Sequence, residues 1–175
     1  YELIEPSPKT SYRREITWSV FNEKANRFAN LLLQRGIKKG DKVAILMMNG
    51  LEWLPIYFGV LKTGALAVPL NFRYSSDEIE YCVNLAEADV LVFSNPFIGR
   101  VEEIADRISK GRLLIYVGEG CPGFADDYNS LSANCSSQSP AIPLFEDDDA
   151  AIYFSSGTTG FPKAILHKHK SLTHS

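Results

Sequence analysis

Long apolar runs are missing from this sequence. The strongest, Val43 to Met48, is strand-sized and far short of the roughly 20 residues that span a bilayer, so no transmembrane segment is expected. An excess of one charge is missing too. Lys and Arg number 18 against 21 Asp and Glu, interspersed to a net −3, which recommends neither nucleic acid nor an anionic membrane as partner. Cysteine is scarce: Cys82, Cys121 and Cys135 are odd in number and show no C-x-x-C spacing, against both a disulfide framework and a zinc ribbon. Free thiols in a reducing cytoplasm are the simpler expectation, with a Cys121 to Cys135 bridge left open. No signal-peptide pattern is visible, although the chain starts at Tyr1 rather than Met, which leaves a lost leader open.

What is present suits one folded unit, since 45% of the 175 residues are hydrophobic and that is enough to build a core. Phe21, Ala25, Phe28, Ala29 and Leu32 form one helical stripe, which Thr17 can cap and Gly36 can end. Lys42 to Met48 then reads as a buried strand, and Leu51 to Thr63, with Pro55 near its first turn, as a helix packed on a sheet. Ala65 to Leu70 follows as a strand. Ser75 and Glu78 make a capping-box signature opening a helix with Ile79, Cys82, Val83 and Ala86 on one face. Asp89 to Ser94 is the next strand, Ile98 to Ile108 the next helix, and Leu113 to Val117 a further strand. Such alternation predicts an α/β fold, a mostly parallel doubly wound sheet with helices on both faces. Residues 118–149, crowded with Gly, Pro, Ser, Asn and Asp, are expected to be a long irregular connection, with the acidic run Glu146 to Asp149 as its solvated end. Trp18 and Trp53 read as core or helix-packing residues.

The chemistry concentrates in Ala150 to His169. Ala151 to Phe154 is an apolar strand that leads into Ser155-Ser156-Gly157-Thr158-Thr159-Gly160, after which Phe161-Pro162-Lys163 starts a second extended run. Gly157 and Gly160 permit backbone angles closed to other residues, so successive N–H groups can line one concavity while four hydroxyls add donors around it. Lys163 can reach back over bound phosphates, and Pro162 stiffens the exit. This is a phosphate cradle, although composition alone would also suit an ordinary hairpin turn. It is not a Walker A loop: the spacing is G-x-x-G-x-x-K and Ala164 follows the lysine, where that motif needs G-K-[ST] at a helix start. His167 and His169 would share a face on a strand, but two histidines without a carboxylate or cysteine make a poor metal site, and no metal ligand is assigned. Ser171 could cap a further helix.

With these residues in view, the sequence resembles the adenylate-forming superfamily, which includes acyl- and aryl-CoA synthetases. The family's phosphate loop, [ST]-S-G-[ST]-T-G-x-P-K, is matched without a gap by Ser155 to Lys163. The stretch Leu61 to Leu70 is similar to its L-K-A-G-x-x-x-V-P motif, and Ile16-Thr17-Trp18, Asn26-Arg27-Phe28-Ala29 and Lys39 to Ala44 are similar to its opening. Val20, where many relatives have Glu, leaves the first capping box incomplete, and Ala164 stands where Gly is frequent. The resemblance implies an N-terminal α/β portion of an acyl-CoA synthetase-like domain across residues 1–175. It also implies that a carboxylic acid attacks the α-phosphate of ATP to give an acyl-adenylate, from which coenzyme A displaces AMP. By the same match Ser155, Ser156, Gly157, Thr158, Thr159, Gly160 and Lys163 bind the ATP phosphates, with Mg²⁺ sharing the charge.

The family's later motifs are not in this sequence: Tyr-Gly-x-Thr-Glu, Thr-Gly-Asp and the catalytic lysine of a mobile C-terminal domain. No catalytic residue is therefore assigned, and the chain alone is expected to be inactive in adenylate formation. A fatty- or aromatic-acid CoA ligase is preferred. The alternatives are an amino-acid- or aryl-acid-activating adenylation domain, a non-catalytic nucleotide-binding fragment, and a kinase or ATPase, which the missing G-K-[ST] disfavours.

Overall fold

Strands and helices alternate as the sequence pattern requires. The computed structural model describes residues 2–5, 14–108, 111–155 and 161–173. Two short antiparallel strands, β1 (Glu2–Glu5) and β2 (Arg14–Thr17), precede helix α1 (Trp18–Gln34). Thr17 Oγ1 accepts the Val20 amide at 3.3 Å, and the return arm of a capping box is absent because residue 20 is apolar. Gly36, at φ +85°, ends the helix: the Ile37 amide reaches the Leu32 carbonyl and the Gly36 amide the Leu33 carbonyl, each at 3.0 Å.

Strand β3 (Lys42–Leu46), helix α2 (Trp53–Lys62), strand β4 (Leu66–Pro69) and helix α3 (Ser76–Leu85) come next. The capping box of α3 has both arms: the Glu78 amide donates to Ser75 Oγ at 3.3 Å, and the Ser75 amide donates to Glu78 Oε2 at 2.8 Å. Strand β5 (Val90–Ser94), a 3₁₀ turn (Asn95–Phe97), helix α4 (Ile98–Ile108) and strand β6 (Leu113–Val117) complete the regular part.

Residues 118–149, expected to be irregular, carry two elements of their own. Strand β7 (Asp126–Asp127) pairs with β6, and helix α5 (Tyr128–Ala133) starts where the Asp127 carboxylate accepts the Ser130 amide at 2.7 Å. An element of six residues is too short to show a periodicity, so only its cap could have marked it. The rest of the connection is strapped to α1: Asn26, Arg27 and Asn30 donate to main-chain carbonyls between Ala133 and Gln138. Strands β8 (Asp149–Ser155) and β9 (Lys163–Lys168) form a hairpin, and α6 (His169–Thr173) follows. Ser171 therefore lies inside this helix instead of capping one.

The seven-stranded sheet runs β7-β6-β5-β3-β4-β8-β9, parallel except for the antiparallel β8–β9 pair. Side chains alternate between its faces. Val43, Ile45, Val90, Val92 and Ile115 pack against α1, α2 and α5; Ala44, Leu46, Leu91, Phe93 and Tyr116 pack against α3 and α4. The doubly wound expectation is met. Gly59 brings α2 close to α1: a Cβ there would lie 2.9 Å from the Ala25 carbonyl oxygen and from a Phe28 ring carbon. No helix among the described residues is long and apolar enough to cross a membrane.

Candidate functional site

Parallel strands carry their carboxyl ends to one edge of a sheet, and in open α/β sheets that edge is where ligands bind. Strand β8 runs parallel to β4, so Ser155 emerges at this edge. Lys163 lies directly opposite Ser155 in the hairpin register, followed by the pairs Phe154 with Ala164, Tyr153 with Ile165 and Ile152 with Leu166. The two ends of the phosphate-loop string are therefore side by side on the outer strands. Ser155 and Lys163 are both exposed, and Lys163 makes no ion pair among the described residues. Ser156, Gly157, Thr158, Thr159 and Gly160 lie outside the described residues.

The exit of the string is held by packing. Pro162 is buried, and the Phe161 ring lies against Tyr81 of α3, with centroids 4.6 Å apart and planes at 33°. Midway along the hairpin the Tyr153 and Tyr57 hydroxyls meet at 2.8 Å, tying β8 to α2. Burial, and then this hydrogen bond, push the Tyr57 phenol well above its usual range, so it stays neutral at all physiological pH values. Neither pairing was visible in the sequence, because both join residues far apart in the chain with no local pattern to mark them.

The base of the hairpin is fastened by the acidic run. Asp148 accepts from Lys39 Nζ at 2.6 Å and from the Phe145 amide at 2.8 Å, while Asp147 pairs with Lys170. The Lys170 ammonium holds the Asp147 carboxyl below the usual carboxylate range, and the Lys39 ammonium does the same for Asp148. The run expected to be merely solvated is thus a clamp. His167 and His169 do not share a strand face: His167 sits edge-on to Tyr153 on β9, whereas His169 begins α6, its amide donating to the Asp148 carbonyl at 3.0 Å. Hairpin and helix diverge between them.

The aromatic and thiol expectations divide. Trp53 stacks on Tyr57 with centroids 5.3 Å apart, as a packing residue should, whereas Trp18 is 49% exposed and meets Phe21 edge-on. All three cysteines are free, Cys82 and Cys135 buried and Cys121 exposed. Burial, and then Glu78, push the Cys82 thiol up to about 12, and burial and Asp127 raise that of Cys121, so neither is a ready thiolate.

The sheet, with Ser155 and Lys163 paired at its carboxyl edge, is of the open α/β type whose ligands bind at that edge. The chain belongs to the AMP-binding enzyme family, whose family model matches residues 6–175. It is 33% identical over 170 residues to the long-chain-fatty-acid-CoA ligase FadD13 of Mycobacterium tuberculosis, a match covering 97% of this chain and 32% of the relative. It is 35% identical over 167 residues to the crotonobetaine/carnitine-CoA ligase of Citrobacter koseri, covering 91% and 32%. Among solved structures, the anthranilate CoA ligase AuaEII in complex with anthranoyl-AMP superposes with a TM-score of 0.85 at 30% identity, over 90% of this chain and 30% of that one. The inhibitor-bound N-terminal domain of FACL13 from M. tuberculosis gives a TM-score of 0.76 at 30% identity, over 91% and 39%. The chain thus spans about a third of the length of the curated relatives it matches.

Proposed function

We propose that residues 1–175 form the N-terminal, ATP-phosphate-binding portion of an acid-CoA ligase. The observation that carries this reading is the ungapped string Ser155 to Lys163 on a hairpin at the carboxyl edge of the sheet, in a chain of the AMP-binding enzyme family. In the proposed reaction a carboxylate oxygen attacks the α-phosphorus of ATP, the bond to the β-phosphate oxygen breaks, and pyrophosphate leaves. The thiol of coenzyme A then takes the acyl group and releases AMP. Ser155 to Gly160 supply amide and hydroxyl donors to the β- and γ-phosphates, and Lys163 supplies positive charge against the leaving pyrophosphate. Such reactions are accelerated mainly by positioning and by charge fixed in advance.

Mg²⁺ belongs in this reading to the substrate. The cation is taken to enter as its ATP complex, with phosphate oxygens among its ligands. The names of the relatives favour a fatty, carnitine-type or aromatic acid over an amino acid. The rest of the catalytic machinery is expected beyond this chain, and the 175 residues alone are proposed to be inactive.

The decisive experiment is ATP–pyrophosphate exchange by the longer gene product over acetate, medium and long fatty acids, benzoate and amino acids, with nucleotide products identified. AMP formation dependent on a fatty or aromatic acid is expected, with Lys163→Ala lowering turnover roughly 100-fold. ADP as the product, or exchange with amino acids alone, overturns the assignment.

A further inference from the structure

We propose that the crevice between the carboxyl ends of β3 and β5 is a second ligand site, suited to a small neutral molecule rich in hydroxyl groups. This site is separate from the phosphate-loop string and does not depend on the polyphosphate reading. Topology picks out the place. From β3 the chain turns through α2 to β4 on one side, whereas from β5 it turns through α4 to β6 on the other. Helix α2 covers one face of the sheet and α4 the opposite face, so the two connections part above neighbouring strands and leave a gap. Such a reversal of strand order is where open α/β sheets bind ligands. The Ser155–Lys163 pair stands elsewhere, on β8 and β9, beyond β4.

The gap holds a cavity of about 660 Å³, within the size range of small-molecule sites. Its lining grades from Met47 and Val117, each 8% exposed, to the exposed Asn49, Asn95, Asn129 and Glu119. Asn49 follows β3, Asn95 follows β5, Glu119 follows β6 and Asn129 stands on α5, so separate segments each bring a polar group to one space. Other carboxamides are engaged in the fold: Asn26 and Asn30 donate to main-chain carbonyls, and Asn71 accepts the Arg73 amide. Among the described residues no hydrogen bond engages the carboxamides of Asn49, Asn95 and Asn129. Charge narrows the class of ligand. Arg14, on the wall of the crevice, pairs with Glu52 at 2.8 Å, and Glu119 adds a further carboxylate, so the space disfavours a phosphate. A carboxamide both donates and accepts, and a carboxylate accepts; hydroxyl groups, which do both, satisfy such a set. Met47 and Val117 offer apolar contact to the carbon ring that carries them.

The test is titration of the nitrogen-15-labelled 175-residue chain with D-ribose, D-glucose, myo-inositol and, separately, sodium pyrophosphate, followed by amide and carboxamide resonances. A sugar or inositol should saturate shifts at Gly50, Gly118, Asn49, Asn95 and Asn129, and pyrophosphate should leave those signals unmoved. Asn95→Leu and Asn129→Leu should each weaken that binding roughly fivefold. Both side chains are exposed, so neither change should move the thermal midpoint, which separates loss of binding from loss of fold. The proposal is overturned if none of the three polyols gives a saturable shift at the crevice, if binding is undiminished in both variants, or if pyrophosphate displaces the sugar from these signals. None of these results bears on Lys163, whose test is turnover of the longer gene product.

Discussion

Glu87 holds a left-handed backbone at φ 50°, the one such non-glycine residue among those described. It follows α3, where the Ala88 amide reaches the Val83 carbonyl and the Glu87 amide the Asn84 carbonyl, each at 3.0 Å, a helix ending that glycine usually provides. Its carboxylate lies 3.9 Å from Lys42 Nζ but is 84% exposed, so that pair contributes little. Glu87→Gly should therefore stabilise the chain by about 1 kcal/mol, read as a rise of roughly 2–4 °C in the unfolding midpoint. A lower midpoint would show that the side chain matters more than its backbone. Tyr153→Phe should act in the opposite direction. It strands the Tyr57 hydroxyl, whose residue is only 8% exposed, and should cost about 1–2 kcal/mol in denaturant unfolding, whereas Tyr57→Phe/Tyr153→Phe should recover part of the loss.

Among the elements, the crossing of α1 and α2 depends on Gly59. Alanine is the better helix former by about 1 kcal/mol, but its Cβ would meet the Ala25 carbonyl at 2.9 Å, and main chain yields less readily than a side chain. Gly59→Ala should thus be a net loss of about 1 kcal/mol or more, seen as a lower urea midpoint with unchanged slope.

The hairpin base makes a pH prediction. The carboxyls of Asp147 and Asp148 are lowered from 3.8 in the folded chain, so their contribution is fully present above that value and is lost as pH falls through the lower folded one. The difference in thermal midpoint between the unaltered chain and an Asp147→Asn/Asp148→Asn variant should be constant above about pH 5 and close as pH falls below about 4. A difference that persists undiminished into acid would point to packing instead of charge.

How far these elements could be foreseen follows from their length and partners. The stripe Phe21, Ala25, Phe28, Ala29, Leu32 spans enough turns to declare its period, and so does the stripe from Val101 to Ile108. Helices α5 and α6 do not, and α6 replaced the strand expected to continue through His169. Strand pairing was legible only in kind: alternation implied a parallel sheet, whereas two extended runs joined by a turn did not by themselves say that β9 returns antiparallel. In the candidate site, Ser155 and Lys163 were singled out as the ends of a loop joining two extended runs, and their facing each other across a hairpin is what the structure adds. The pairs that flank them, Tyr57 with Tyr153 and Tyr81 with Phe161, left no mark because a single sequence does not reveal which distant side chains meet.

At the scale of the whole molecule, the sheet has two unlike borders. One is closed by β7, two residues long and followed at once by α5. The other is β9, and among the described residues no strand lies beyond it. Ile165 and Leu166 point to opposite faces there and are 46% and 54% exposed. A six-residue strand at the border of the described sheet, with apolar side chains on both faces, is a template for another like itself. Purified at rising concentration, the 175-residue chain should scatter light progressively more, and Leu166→Lys should abolish that rise while leaving the far-ultraviolet dichroism intact. Equal scattering from both proteins would place the sticky surface elsewhere. Whoever handles this chain by itself will meet, in the test tube, the border that its fold leaves open.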